Sequence, residues 1–410
     1  MSVTRRTLLA AAAALTAPGF LAGARAQPGA TLKIGCLTDM SGPYKDLAGP
    51  NAVAAVHQAL DEYGVSGKGM TVEVLSADHL NKPDVGSTVA RQWFDRDGVD
   101  LIVEVANSGV ALAVAGVAKE KNKVYINSGA ATSDLTGASC NANTIHWVYD
   151  TYMLAKSTGG AMVKTGGDSW FFITADYAFG KALQRDTTDF VTGAGGKVLG
   201  SVAYPFPGTS DFSSYLIQAQ GSGAKVLGIA NAGADTINTI KQAKEFGITG
   251  KMRLAGLLLF LTDIHSLGLD TAQGIVLTDS FYWDMNDRAR AFSNRFSPKI
   301  GGARPTMVHA GVYSSVLHYL KTASAMGVDK VKLDGAATVA EMKKIPTDDD
   351  CFGPGSIRAD GRKLHPAYLW EVKKPAESKG PWDYYKLLAT TSADEAFRPI
   401  DKGGCPLVRS

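Results

Sequence analysis

Apolar, β-rich runs alternate with stretches of helical periodicity along most of the chain. The first half predicts strands at about 32–39, 70–78, 99–105 and 123–127, with helices near 51–63, 84–95 and 110–121 between them. After a polar stretch around Cys140 to Asp150 and a helix, the pattern restarts with strands near 169–175, 197–204, 224–230, 252–259 and 274–281. Such alternation marks parallel sheets covered by helices on both faces, and its repetition predicts two open α/β sheets in tandem. Three helical stretches follow, near 286–299, 307–326 and 336–344, before a β-rich end containing Ala367 to Lys373 and Tyr384 to Ala389. So late a change of pattern implies that the chain passes between the lobes more than once. No low-complexity linker separates them.

The first residues change the picture of where the protein works. Thr4-Arg5-Arg6-Thr7-Leu8-Leu9, an Ala-rich apolar stretch to Phe20 and the small-x-small site Ala24-Arg25-Ala26 have the layout of a signal peptide, residues 1–26, cleaved after Ala26 to leave Gln27 as the mature start. The paired arginines and Arg25 resemble the twin-arginine export motif, an ordinary secretory signal being the alternative. No later segment reaches about 18 unbroken apolar residues, so the mature chain is expected in the periplasm and not embedded in the membrane. Removing residues 1–26 takes three arginines and no acid, which brings the formal charge from +3 to zero. With no excess positive charge there is no electrostatic reason to bind nucleic acid or anionic lipid. About 384 mature residues exceed a usual single core and predict two domains. Of four cysteines in a compartment that permits disulfides, Cys36 lies mid-strand and reads as a buried thiol. Cys140 and Cys405 sit in polar or Gly/Pro-rich loops where a bridge could form.

Ligands of open α/β sheets sit beyond the carboxyl ends of strands. After the first strand comes Asp39-Met40-Ser41-Gly42-Pro43-Tyr44, after the third Asn107-Ser108-Gly109, and after the fourth Asn127-Ser128-Gly129-Ala130-Ala131-Thr132. Small residues and hydroxyls at helix starts can hold a carboxylate or amide oxygen without a buried counter-charge; alternatively, Ser108 and Thr132 simply cap helices. The second sheet offers Asp176-Tyr177-Ala178-Phe179-Gly180, Asn231-Ala232-Gly233 and Phe281-Tyr282-Trp283-Asp284 at the same topological place. Those aromatics could enclose a flat or apolar ligand body, or serve as packing between the lobes.

Patterns for covalent chemistry are poor. The sequence has no nucleophile elbow, H-E-x-x-H, P-loop or G-x-G-x-x-G after a strand, and no Cys/His cluster that would hold zinc. Asp95-Arg96-Asp97-Gly98 begins like a calcium loop, but its twelfth position is Ala106, not an acid. No catalytic residue, metal or cofactor is expected. His146 after Cys140 is the one combination that a secreted hydrolase could use.

In this order, and behind an export signal, the strand-end loops resemble the type I periplasmic solute-binding proteins of the branched-chain amino acid transporter family. The resemblance rests on Lys33-Ile34-Gly35 through Ser41-Gly42-Pro43-Tyr44, Ser128 to Thr136, Tyr177-Ala178-Phe179-Gly180 and Ala234 to Gly247. The ending, Gly361-Arg362 through Trp382-Asp383-Tyr384-Tyr385-Lys386, looks like a subgroup of that family. It implies two Rossmann-like lobes joined by three hinge crossovers, a small-molecule solute in the cleft, and docking of the closed, monomeric form on an inner-membrane ABC permease complex. On this sequence the lobes would be 27–147 with 282–345 and 148–281 with 346–395, followed by a tail, 396–410.

Carried over by position, Ser108 and Gly129 to Thr132 match loops that hold the ligand's carboxylate, with Asn107, Gly129, Ala130 and Ala131 among the contacts. Phe179 and Tyr177 match walls from the opposite lobe, Asn231 and Ala232 the next strand end, Trp283 the last, and Tyr44 the rim. Amino-acid binders of the family place an acid after the strand that corresponds to Met252–Leu259. Here that place reads Leu257-Leu258-Leu259-Phe260, so Leu258 offers only apolar contact. A buried ammonium without a paired acid loses several kcal/mol of solvation. Unless Asp176 or Asp235 replaces the missing acid, the expected ligand is an aromatic or short aliphatic carboxylate, or an amide, rather than leucine. A periplasmic sensor subunit for a signalling receptor would use the same cleft.

Overall fold

The computed structural model describes residues 30–408. The first half forms the strands β1 (Thr31–Thr38), β2 (Thr71–Asp78), β3 (Leu101–Glu104), β4 (Val124–Asn127) and β5 (Thr144–His146). They make one parallel sheet in the order β2-β1-β3-β4-β5. Every residue of β3 and β4 is buried, which is why both read as unbroken rather than alternating segments: helices cover both faces.

The pattern repeats with β6 (Ser169–Ala175), β7 (Lys197–Tyr204), β8 (Val226–Ala230), β9 (Arg253–Gly256) and β10 (Val276–Asp279). A short hairpin, β11 (Ser356–Ile357) and β12 (Lys363–Leu364), precedes β13 (Ala367–Val372) and β14 (Tyr385–Thr391). The second sheet runs β14-β13-β10-β9-β8-β6-β7, with β13 and β14 antiparallel at one edge. Its parallel part has the same 2-1-3-4-5 order as the first sheet. The order reverses between β1 and β3 and again between β6 and β8, and the crevices at those reversals are where such sheets bind ligands.

The chain passes between the sheets three times: after β5, after β10 and after β12. Between the second and third passages the helices Asp287–Phe296 and Met307–Met326 return to the first sheet, the latter packing against the helix Gly49–Tyr63. Thr306 caps that long helix, and its hydroxyl also donates to Leu47 O at 2.8 Å. Two boundaries differ from the sequence-based expectation. Residues 347–364 were expected in the second lobe, but their hairpin β11–β12 is a separate two-stranded sheet beside β5, joined to it where His146 N donates to Gly361 O at 2.9 Å. Tyr282 was expected in the first lobe, yet it packs on Trp370 and Tyr385 in the core of the second unit.

Buried charge fastens the crossovers. Arg362 is fully buried; its guanidinium donates to Val148 O and lies 3.5 Å from the Asp150 carboxylate. His365 Nε2 stands 3.1 Å from the same Val148 oxygen. Cys140 and Cys405 form a disulfide, Cα–Cα 5.5 Å, that ties the tail to the loop before β5. Cys36 and Cys351 are buried free thiols. The predicted signal peptide lies outside the described residues.

Candidate functional site

The loop after β1 winds around Asp39, whose carboxylate accepts from Gly42 N at 2.6 Å, Tyr44 N at 2.9 Å and Asn81 Nδ2 at 2.6 Å. This holds the Tyr44 ring toward the second unit. There Tyr44 Oη lies 2.5 Å from Tyr177 Oη, and the Phe206 ring stacks on both, 5.5 Å from Tyr44 and 4.4 Å from Tyr177. Ala234 N donates to Pro43 O at 3.1 Å. Gly233 permits this approach: its φ is +61°, and a Cβ would stand 2.4 Å from Pro43 O. The cleft is therefore shut at this rim.

Below the rim the strand ends line a small cavity with only about 10 Å³ of room for a water-sized sphere, so a solute of any size must part its walls. The first unit supplies Tyr44, Leu47, Ala106, Gly129 and Ala131, and the first crossover supplies Tyr149. The second unit supplies Tyr177, Phe179, Ala232, Leu258 and Phe260. No charged side chain is in the lining. Burial pushes the Tyr44, Tyr149 and Tyr177 phenols well above their ordinary range, so all three stay neutral donors.

Polarity on the first-unit side comes from backbone. Asn127 folds the segment after β4 back on itself, its Oδ1 accepting from Ala130 N at 3.0 Å and its Nδ2 donating to Ala130 O at 2.6 Å. Tyr149 donates to Gly129 O, and Thr151 N to Ala131 O at 2.8 Å. The amides of Gly129 and Ala131 are left without an acceptor among the described residues. Both residues line the cavity, and N–H groups without an internal acceptor are suited to an oxygen-bearing head.

Of the expected contacts, Tyr44, Gly129, Ala131, Tyr177, Phe179, Ala232 and Leu258 meet at this cavity. The other five lie outside its lining because local partners occupy them. Asn107 caps the helix Ser108–Lys121, accepting from Gly109 N and Val110 N at 2.9 and 3.1 Å. Ser108 Oγ accepts from Thr132 N at 3.2 Å, joining the β3 and β4 loops. The Ala130 amide is taken by Asn127. Asn231 bonds Thr236 and Thr239 at 2.7 and 3.2 Å. Trp283 donates to Trp382 O at 2.8 Å, with the Arg304 guanidinium 4.1 Å above its ring. Neither acid that could have replaced the missing one reaches the cavity: Asp176 pairs with Lys181 at 2.9 Å, and Asp235 accepts from Tyr204 at 2.7 Å.

Tyr149, Phe206, Phe260, Leu47 and Ala106 were not among the expected contacts. Phe260 was visible as the aromatic that closes the apolar run after β9. Tyr149 lay inside a stretch that reads as polar.

The sequence profile of the periplasmic binding protein family matches residues 31–380. The chain belongs to that family. A periplasmic binding protein of Burkholderia mallei superposes with a TM-score of 0.89 at 49% identity, covering 92% of this chain and 99% of the other. A branched-chain amino acid ABC transporter periplasmic ligand-binding protein of Burkholderia xenovorans LB400 gives 0.80 at 40% identity, with 92% and 99% covered. Leu/Ile/Val-binding protein homolog 4 of Brucella abortus is 25% identical over 97% of both chains. A solute-binding protein of an ABC transporter from R. palustris, solved in complex with benzoate, shares the fold at 20% identity and a TM-score of 0.80, with 92% and 100% covered. Type I periplasmic binding proteins are a solute-binding class, and both sheets have their architecture. Among the described residues no helix is long and apolar enough to cross a membrane.

Proposed function

We propose that the chain is the exported, monomeric solute-binding component of an ABC importer. It captures a compact solute between its two units by hinge closure and presents the closed form to an inner-membrane permease. The solute is an aromatic or short aliphatic carboxylate, or an amide, rather than a free amino acid. One observation carries the ligand class: the lining has free amides on one side, aromatic rings on the other and no acid for an ammonium group. Gly129 and Ala131 take the oxygen-bearing head, Tyr177, Phe179 and Phe260 flank the body, and Ala232 and Leu258 fill the far end. The benzoate found in the R. palustris neighbour is of the same chemical class.

Branched-chain amino acids are the second reading, favoured by the names of the Brucella and Burkholderia xenovorans relatives. Calorimetry on the mature protein with benzoate, 4-hydroxybenzoate, short aliphatic acids, their amides and leucine separates the two. Saturable binding of an acid or amide, with leucine weaker by at least a hundredfold, is the expected result. Tight leucine binding without response to the others would establish the second reading instead.

A further inference from the structure

Behind the first-unit wall of the cavity lies a carboxyl group that the binding site as described does not use. Glu104 ends β3, and it and Val105 both adopt left-handed backbone, with φ of 81° and 67°. Residues with a Cβ take up that region only where the surrounding structure enforces it. The Glu104 side chain is fully buried, and neither carboxyl oxygen has a hydrogen-bond partner among the described residues. Its Oε1 is 2.0 Å from the point where a Gly129 Cβ would stand, and Ala106 N is 3.1 Å from the same point. Gly129 and Ala106 both line the cavity. The carboxyl therefore occupies the space left by the missing Gly129 side chain, beside two residues that line the cavity.

The titratable groups around it are Asp39 beyond the end of β1, Cys36 within β1, Tyr125 on β4 and Tyr149 from the first crossover. None of these is a cation. Burial foremost, and then the Asp39 charge, push Glu104 up to about 8, while the nearby Thr38 hydroxyl and the Val105 and Ala106 amides pull the other way. At neutral pH the group is a protonated acid. If ionised, it would set an uncompensated negative charge beside the place where the solute's head arrives.

We propose that Glu104 screens solutes by charge: neutral, it allows an anionic head onto the Gly129 and Ala131 amides, and ionised, it repels that head. The inference rests on the carboxylate reading of the site. Binding a carboxylate raises the proton affinity of Glu104, so where the free protein is partly ionised, capture takes up a proton from solvent. A neutral amide of the same shape lacks this coupling.

The test is calorimetry between pH 6 and 9.5 with benzoate and benzamide, on the wild type and on Glu104→Gln. Benzoate should bind the wild type about tenfold more weakly at pH 9 than at pH 7, with proton uptake near pH 8 seen in buffers of different ionisation heat. Benzamide should show neither effect, and Glu104→Gln should flatten the benzoate profile. Tyr44, Tyr149, Tyr177 and Cys36 are all raised by burial and stay neutral over this range, but Asp263, which accepts from Phe260 N, and Asp279 are raised to about 7 and about 8 and act on Tyr149, so the slope that Glu104→Gln removes is the readout. A flat wild-type benzoate profile, or an equal slope in Glu104→Gln, overturns the role of Glu104 and leaves the carboxylate reading standing. Absence of benzoate and benzamide binding at pH 6 to 7, with leucine or benzylamine bound more tightly as pH rises, overturns both and makes Glu104 the counter-charge of an ammonium. Should the glutamine variant not fold, Glu104→Met replaces it in the same comparison of acid with amide, and a benzoate slope equal to that of the wild type overturns the role of Glu104.

Discussion

The phenolic oxygens of Tyr44 and Tyr177 meet at 2.5 Å across the cleft. One comes from the loop after β1 and the other from the loop after β6, so the bond forms only when the two strand-order reversals face each other at contact distance. It reports closure directly.

Removing either hydroxyl should shift the equilibrium toward the open form. A net hydrogen bond contributes about 1 kcal/mol, so Tyr177→Phe should weaken solute affinity about fivefold, as should Tyr44→Phe. In calorimetry the double variant should lose no more than either single one, because both remove one bond. Additive losses would mean that each phenol acts on a separate partner.

Ser108→Ala tests a different duty. Its hydroxyl accepts from Thr132 N, so the substitution leaves a buried amide unpaired and should cost about 1–3 kcal/mol of stability. A urea melt should show that loss, with affinity for the solute falling by less than the corresponding factor. Affinity loss at unchanged stability would return Ser108 to the list of direct contacts.

Gly129→Ala should be among the most damaging small substitutions. The new Cβ would meet Glu104 Oε1 at 2.0 Å and Ala106 Cα at 2.9 Å, and overpacking of a fixed wall typically costs about 1–3 kcal/mol. A lower melting temperature together with lost solute binding is expected. A variant that melts and binds like wild type would show the wall to be mobile.

Glu104 should also leave a mark on stability without any ligand. Its folded pKa of about 8 lies above its ordinary 4.5. Between those values the folded chain keeps a proton that the unfolded chain has released. Stability from this group is thus complete below about pH 4.5 and declines as pH rises through 8. Glutamine cannot ionise. Differential scanning fluorimetry from pH 5 to 8.5 should show the melting difference moving in favour of Glu104→Gln, and a constant difference would contradict the burial argument.

Much of the framework was readable because long periodic segments carry their own signal. The helix Met307–Met326 and the strands β6 and β7 fall where the periodicity puts them, and the strand ends named several of the loops that meet at the cavity. β5 was not foreseen: Thr144–His146 is three residues long inside a polar stretch, too short for alternation to register. β9 ends at Gly256 rather than near 259, since Leu258 and Phe260 turn out of the sheet to line the cavity. Asn107, Ser108 and Asn231 look like ligand donors in sequence, but a hydroxyl or amide does not announce which neighbour will satisfy it. Glu104 was hidden for a related reason. Its importance comes from what is missing beside it at Gly129, twenty-five residues along the chain.

The Val148 carbonyl, shared by Arg362 and His365, makes the first and third crossovers one mechanical member. Two of the three strands between the halves cannot slide past each other. In the hinge closure proposed above, the halves would swing like a door on this one pin, set by the buried Arg362 guanidinium on the carbonyl that leads directly into Tyr149 of the cavity wall. Affinity in such a molecule is tuned at the pin as well as in the pocket.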